Sequence, residues 1–301
     1  MTARPTMVIT GASSGIGSAA AQALARGGAD VVLLGRNAER LGRVAARIES
    51  LTGDAPASYQ ADFSSLTQVR AVGAQIAARH PRVDVLANNA GQLVGLRHTT
   101  EDGFERTIQT NHLAPFLLTH LLLPSLRRAA DEAGHSRVIT TSSLAEAVGA
   151  VDPENLNWTG LPYSRWAVYA ASKQANILFT VEAARRWAEL GVVATCFHPG
   201  LVRSRFGRAS AAFSLGKLVS PLMLPPTLGA KGLTHLATHD DGRTKPGRFF
   251  FWRWETGCTP RSKDPVLAAA LWDASTTAVD LFDEPGTGQE ETRPAKGSGG
   301  M

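Results

Sequence analysis

Tyr169 and Lys173 close the pentapeptide Tyr-Ala-Ala-Ser-Lys, four residues apart. On a helix that spacing places both side chains on one face, one above the other. A lysine ammonium beside a phenol favours the phenolate and lowers its pKa from about 10 toward the working range. Such a pair can donate and accept the proton of a carbonyl/alcohol interconversion. Surface helices carry Y-x-x-x-K by chance, so the chemistry depends on whether the chain also supplies a redox cofactor.

Residues 6–10 (TMVIT) read as a short buried strand. Gly11-Ala-Ser-Ser-Gly15-Ile-Gly17 follows, and an alanine-rich helix runs to about Gly27. Strand, glycine turn and helix in that order make a phosphate site: glycines let the backbone approach a pyrophosphate, and the helix N-terminus offers free N–H groups. Gly11, Ser13, Ser14, Gly15, Ile16 and Gly17 are the candidate contacts. A plain tight turn capped by Ser13 or Ser14 is the alternative reading.

A second strand, residues 30–35, ends near the place where an acidic residue would bind the ribose of NAD. Here Gly35 and Arg36 stand instead, followed by Asn37. Loss of the carboxylate and gain of a guanidinium favour a 2′-phosphate, hence NADP(H) over NAD(H). Arg36 as an ordinary surface arginine is the competing reading.

Helical periodicity covers residues 37–52, with Leu41, Val44, Ala45 and Ile48 inward, and a further helix covers 65–79. Strands are read at 57–59, 83–88, 137–142, 192–198 and 247–252. Alternating strands and helices predict an α/β fold: a single-domain, doubly wound parallel sheet of Rossmann type with helices on both faces. Ligands of such sheets bind where the strands end. The segments Ala61-Asp62-Phe63 and Asn89-Ala90-Gly91 belong to that edge.

The composition excludes several other classes. The 301 residues are 44% hydrophobic and carry a net charge of +5. The basic residues are spread along the chain without a run of five or six, so no nucleic-acid partner is implied. Two cysteines and eight histidines form neither a disulfide framework nor an H-E-x-x-H cluster, and no metal site is read. Met1 to Pro5 lead straight into the first strand, without a signal peptide or membrane span, which reads as a cytoplasmic protein.

Thr10-Gly11-x-x-x-Gly15-x-Gly17, Asn88-Asn89-Ala90-Gly91, Tyr169-x-x-x-Lys173 and Pro199-Gly200 occur in that order. In this the chain resembles the short-chain dehydrogenase/reductase family, from about residue 6 to residue 277. Thr110-Asn111-His112-Leu113, Ser142-Ser143-Leu144-Ala145, His198-Pro199-Gly200 and the late Leu271-Trp272 are most similar to its retinol-dehydrogenase-like branch. The resemblance implies that Asn111 holds a water in the proton path and that Ser143, the second of its serine pair, binds the substrate oxygen. It further implies that Tyr169 is the acid/base and that Lys173 binds the nicotinamide ribose and tunes the tyrosine. Asp62 and Asn89 would line adenine and ribose. Pro199, Gly200, Val202 and Ser204 would face the nicotinamide, with Ser204 where the family often has threonine.

Positions 143 and 169 stand 26 apart, a long interval for the family, and the insert is read as a loop at the active-site mouth. Residues 203–227, with Phe206, Phe213, Leu215, Leu218 and Leu222, take the family's lid position. An apolar lid implies a hydrophobic small-molecule substrate and leaves shallow membrane contact open. Residues 1–284 form the domain, and 285–301 read as a disordered tail. Pairing through the helices at about 101–130 and 169–190 is usual in the family and implies a homo-oligomer. The expected activity is NADP(H)-dependent reduction of a ketone or aldehyde. Epimerisation or reductive rearrangement on the same fold, and a non-catalytic NADP-binding sensor, are the alternatives.

Overall fold

The computed structural model describes residues 4–202 and 223–281. Of the sequence expectations, Ser204, most of the lid and the tail lie outside these residues. Eight strands form one sheet: β1 Thr6–Thr10, β2 Asp30–Gly35, β3 Ser58–Gln60, β4 Val85–Asn88, β5 Ser136–Thr141, β6 Val192–His198, β7 Phe249–Phe251 and β8 Trp254–Thr256. Their order is β3-β2-β1-β4-β5-β6-β7-β8. All neighbours are parallel except β7 and β8. The antiparallel β8 is a departure from the all-parallel expectation. A polar-flanked WET triplet has too little periodicity to announce an edge strand.

Helices α1 Gly15–Arg26, α2 Ala38–Thr52 and α3 Leu66–Arg79 separate the first four strands. A short α4, Arg106–Ile108, continues through a π-helical turn, Gln109–Leu113, into α5 Ala114–Ala133. The long helix expected from about 101 thus begins later. Then come α6 Arg165–Arg186, α7 Pro226–Gly229, α8 Lys231–Thr238, α9 Asp241–Thr244 and α10 Pro265–Ala278. Asn37, Ser65, Ser164 and Asp264 cap α2, α3, α6 and α10 with side-chain oxygens. Leu41, Val44 and Ile48 of α2 are buried as expected. On α10, Ala270 is exposed, whereas Ala268, Leu271 and Trp272 point inward.

β1, β2, β5 and β6 are buried nearly throughout, because helices cover both faces of the sheet. Two apolar clusters divide the faces, one containing Val8 and Leu86, the other Ile9 and Ala87. The alternation follows from the strand period of two. The insert after β5 is not a bare loop. It makes two 3₁₀ turns, Leu144–Val148 and Pro153–Asn155, and sends Val151 and Leu156 into the core.

Helix α10 packs along α6. Trp272 stands edge-on to Phe116 (5.1 Å) and His120 (5.1 Å) of α5 and to Trp187 (5.6 Å), and stacks on Phe179 of α6 at 5.7 Å. Arg186 lies 4.9 Å above its ring. The chain's own C-terminal helix thus covers part of α6, one of the two helices through which the sequence reading pairs subunits. Among the described residues no helix is long and apolar enough to cross a membrane.

Candidate active site

The strand order reverses on either side of β1, which pairs with β2 and β4. A crevice opens there, beyond the carboxyl ends of the strands. Thr10 shapes its floor. The Thr10 hydroxyl accepts from the N–H groups of Asn89 and Ala90, both at 2.9 Å, and donates to the Ala87 carbonyl at 3.1 Å. The Asn89 amide donates to the Thr10 carbonyl at 2.9 Å. The two strand ends are thereby fixed to each other.

A cleft of about 770 Å³ lies over this floor. Gly11, Ser13, Ser14, Gly15 and Ile16 line one wall; Arg36, Asn37, Asp62 and Phe63 line another. Asn89, Ala90 and Gly91 continue it, and residues 92–98 with Arg106 and Thr110 close it. Gly17 lies behind the wall and serves packing, since a Cβ there would stand 2.5 Å from the Gly11 carbonyl oxygen. Gly11 and Gly15 hold positive φ of 67° and 58°. The Ser14 side chain does not cap α1, and the first turn of α1 holds no acidic residue. Its N–H groups are free to receive an anion, so a nucleotide pyrophosphate fits this cradle.

Arg36 is exposed and stands 3.7 Å from Asp62. The sequence reading missed Arg40, which also lines the cleft and whose Nε is buried without a hydrogen-bond partner. The signal was present: Arg40 lies four residues after Arg36, in the first turn of α2, and Asn37 caps its N–H at 2.8 Å.

Asn111 and Lys173 stand behind Gly91 without lining the cleft themselves. A methyl group at Gly91 would lie 3.3 Å from Asn111 Oδ1 and 3.5 Å from Lys173 Nζ. Asn111 sits in the π turn, a conformation that recurs at functional sites. Its side chain clamps the loop after β4: Oδ1 accepts from Gln92 N at 2.8 Å, and Nδ2 donates to the Gln92 carbonyl and to Ser172 Oγ. Gln92 escaped the sequence reading because only its backbone makes this clamp.

The adjacent serines separate cleanly. Buried Ser142 donates to the Lys173 carbonyl at 2.6 Å. Ser143 is hydrogen-bonded to Tyr169 and accepts from Ala145 N at 3.2 Å. Lys173 Nζ donates to the Thr141 carbonyl at 2.9 Å and lies 5.7 Å from the centre of the Tyr169 ring.

The expected lowering of the phenol pKa by the lysine does not appear. Burial pushes Tyr169 up to about 12, opposed by the Ser143 hydrogen bond. Burial likewise brings Lys173 down to about 8. Desolvation disfavours the charged form of each and dominates here.

Pro199 and Gly200 follow β6. Trp252 Nε1 donates to the Pro199 carbonyl, and Gly200 holds φ of 79°. Val202 bridges to Leu224 beside Gly229, where a Cβ would meet both Val202 and Ile16. These residues thus stand near the glycine turn without lining the cleft.

The family description "short chain dehydrogenase" matches residues 5–213. The chain belongs to the short-chain dehydrogenase family. Among curated relatives of this short-chain dehydrogenase, one described as the candidate daunorubicin C-13 ketoreductase DnrU of Streptomyces sp. (strain C5) is 44% identical over 274 residues, covering 91% of this chain and 92% of that protein. Human retinol dehydrogenase 13 is 36% identical, covering 92% and 85%. A crystal structure of an uncharacterised protein from Mycobacterium paratuberculosis superposes with a TM-score of 0.74 at 33% identity, covering 92% and 94%. A short-chain dehydrogenase structure from Shigella flexneri, complexed with NADP, has a TM-score of 0.64 at 28% identity, covering 83% and 97%. The dehydrogenase is therefore an oxidoreductase of the carbonyl/alcohol class.

Proposed function

We propose that the enzyme reduces a ketone or aldehyde on an apolar small molecule, with NADPH as the preferred hydride donor. The observation that carries this reading is the Ser143–Tyr169 hydroxyl pair, with Lys173 beside it, at the Gly91 end of the nucleotide cleft.

Gly11, Ser13, Ser14, Gly15 and Ile16 would cradle the pyrophosphate, and Arg36 with Arg40 the 2′-phosphate. Asn37, Asp62, Phe63, Asn89 and Ala90 would border the adenosine. Pro199, Gly200, Val202 and Ser204 are assigned to the nicotinamide side by resemblance. The bound nicotinamide supplies a hydride to the carbonyl carbon. Ser143 donates a hydrogen bond to the carbonyl oxygen and holds it against Tyr169. Tyr169 keeps its proton at neutral pH and gives it to that oxygen as negative charge develops. Lys173 carries a positive charge below about pH 8, which stabilises the phenolate left behind. Asn111 holds the Gln92 loop and the π turn in register for proton return.

The apolar character of the substrate is supported by exposed side chains. Leu96 follows β4, Leu144 and Val148 follow β5, Leu161 and Trp166 flank the start of α6, and Leu201 follows β6. Trp166 stands edge-on to Tyr169 at 6.5 Å. Exposed apolar groups gathered at one rim suit a hydrophobic ligand.

The test is turnover of NADPH and NADH with hydrophobic carbonyl compounds, including daunorubicin, named by one relative, and retinaldehyde, the carbonyl counterpart of the retinol named by others. The expected product is the matching alcohol, formed faster with NADPH. Absence of cofactor oxidation with every carbonyl would contradict the proposal.

A further inference from the structure

We infer that the chain carries a divalent transition-metal site, suited to Zn²⁺, formed by His235, His239 and Asp241. It stands apart from the cofactor cleft. The cleft lies at the carboxyl ends of the strands, whereas these residues pack beside Arg137, near the amino end of β5.

The pattern is His-x-x-x-His-x-Asp. Two histidines four apart share a helix face, and α8 ends with His239 as its cap. Asp241 comes from the turn that opens α9, which explains why a search for two-histidine helix motifs misses the trio. His235 Nε2 lies 2.8 Å and His239 Nδ1 3.4 Å from the same oxygen, Asp241 Oδ2. The three donor atoms all fall within 4.8 Å of one another. The imidazole rings stack at 4.4 Å with 21° between planes, so their in-plane lone pairs run nearly side by side and one ring turns about its Cβ–Cγ bond for both to meet a single ion.

Tetrahedral Zn²⁺ with ligands at 2.0–2.1 Å separates its donors by about 3.3 Å. The His239–Asp241 side-chain distance already matches, and a metal on His239 Nδ1 displaces the Asp241 N–H that donates to that nitrogen at 3.2 Å. The His235–Asp241 hydrogen bond opens by about half an ångström when a metal replaces the shared proton. Two imidazoles and one carboxylate are a borderline donor set preferred by Zn²⁺, Co²⁺ and Ni²⁺ over Mg²⁺ or Ca²⁺. The fourth position is left to water.

The scaffold beneath is rigid. Buried Arg137 donates to the carbonyls of Leu236 (2.9 Å) and His239 (3.1 Å). A Cβ at Gly242 would stand 1.9 Å from the Leu236 carbonyl oxygen, so only glycine lets the Asp241 turn close against α8. Lys245 Nζ lies 3.0 Å from the other carboxylate oxygen, Oδ1, and leaves Oδ2 to the metal. Its charge opposes a cation, which gives the inference a signed test.

Untagged protein, stripped with chelator and desalted, is titrated with ZnCl₂ by calorimetry and with Co²⁺ by visible absorption. The expected result is one equivalent bound and a tetrahedral Co²⁺ spectrum. Asp241→Asn and His239→Ala each weaken binding at least about tenfold, as removal of one of three ligands should. Lys245→Met tightens it about threefold by removing the competing ammonium. Circular dichroism establishes folding for each variant. If Asp241→Asn fails to fold, His239→Ala and Lys245→Met decide. No stoichiometric uptake by the wild type, or variant titrations that coincide with it, would overturn the inference.

Discussion

The Ser142 hydroxyl donates to the Lys173 carbonyl oxygen at 2.6 Å. This bond ties the end of β5 to the middle of α6. It also turns the next side chain, Ser143, toward Tyr169, since neighbouring residues on an extended chain face opposite ways. Ser143→Ala should therefore cut turnover by about 10²-fold or more, as loss of an oxyanion donor does. Ser142→Ala should instead lower thermal stability while cofactor affinity stays within about threefold, because it removes a buried hydrogen bond worth about 1 kcal/mol. Thermal denaturation and steady-state kinetics on both variants separate the roles.

The proposed preference for NADPH rests on Arg36 and Arg40. Arg36→Asp should weaken NADPH binding by about 10- to 100-fold and improve NADH binding, because charged hydrogen bonds to a phosphate contribute about 1.5–3 kcal/mol. Arg40→Ala should weaken NADPH and leave NADH nearly unchanged. Fluorescence titration with both nucleotides is the measurement. Equal loss for the two would place these arginines elsewhere than the 2′-phosphate.

In the proposed mechanism Lys173 assists catalysis, while its burial works against the fold. Its folded pKa of about 8 lies below the ordinary 10.5. Between these values the unfolded chain binds more protons, so this group makes stability rise with pH across about 8 to 10.5. Below pH 8 the buried charge costs up to about 3 kcal/mol, at 1.36 kcal/mol per unit. Asn176 also donates to the Thr141 carbonyl, at 3.1 Å, so that acceptor stays satisfied without the lysine. Lys173→Met should be more thermostable at pH 7 and nearly inactive. The wild-type kcat/KM for reduction should fall as pH rises through about 8, and this limb should vanish in the variant.

His112 is buried and His120 half-buried, and desolvation draws both down from 6.5 to about 4. Below pH 6.5 the unfolded chain takes up protons that the folded chain refuses, so stability falls on acidification toward pH 4. His120→Phe, within the aromatic cluster of Phe116, Trp187 and Trp272, should flatten that fall in urea titrations at pH 7 and pH 5.

The same cluster bears on assembly. α10 packs along α6 and sets Trp272 against Phe116 and His120 of α5, and so covers part of the two helices through which pairing is expected. Light scattering should report a monomer of 31.9 kDa. A dimer mass at micromolar concentration would show that another face pairs.

The strand-turn-helix units were legible because buried strands and capped amphipathic helices carry strong local periods, as in β2 and α2. The nucleotide cleft was legible because glycine spacing is a backbone requirement. Three features were not. Gln92 holds Asn111 through its main chain, and its side-chain bond to Thr110 Oγ1 spans 18 positions, so no local spacing announces it. The protonation of Tyr169 and Lys173 depends on burial, which pairwise spacing cannot supply. The fit of Trp272 between α5 and α6 joins residues more than 80 positions apart.

The most direct measurement is turnover of an apolar ketone by Tyr169→Phe beside its NADPH affinity. Loss of a positioned acid should lower kcat by about 10³-fold, with the NADPH dissociation constant within about threefold of wild type. A Tyr169→Phe enzyme that reduces the ketone at the wild-type rate would contradict the assignment of the proton to that phenol.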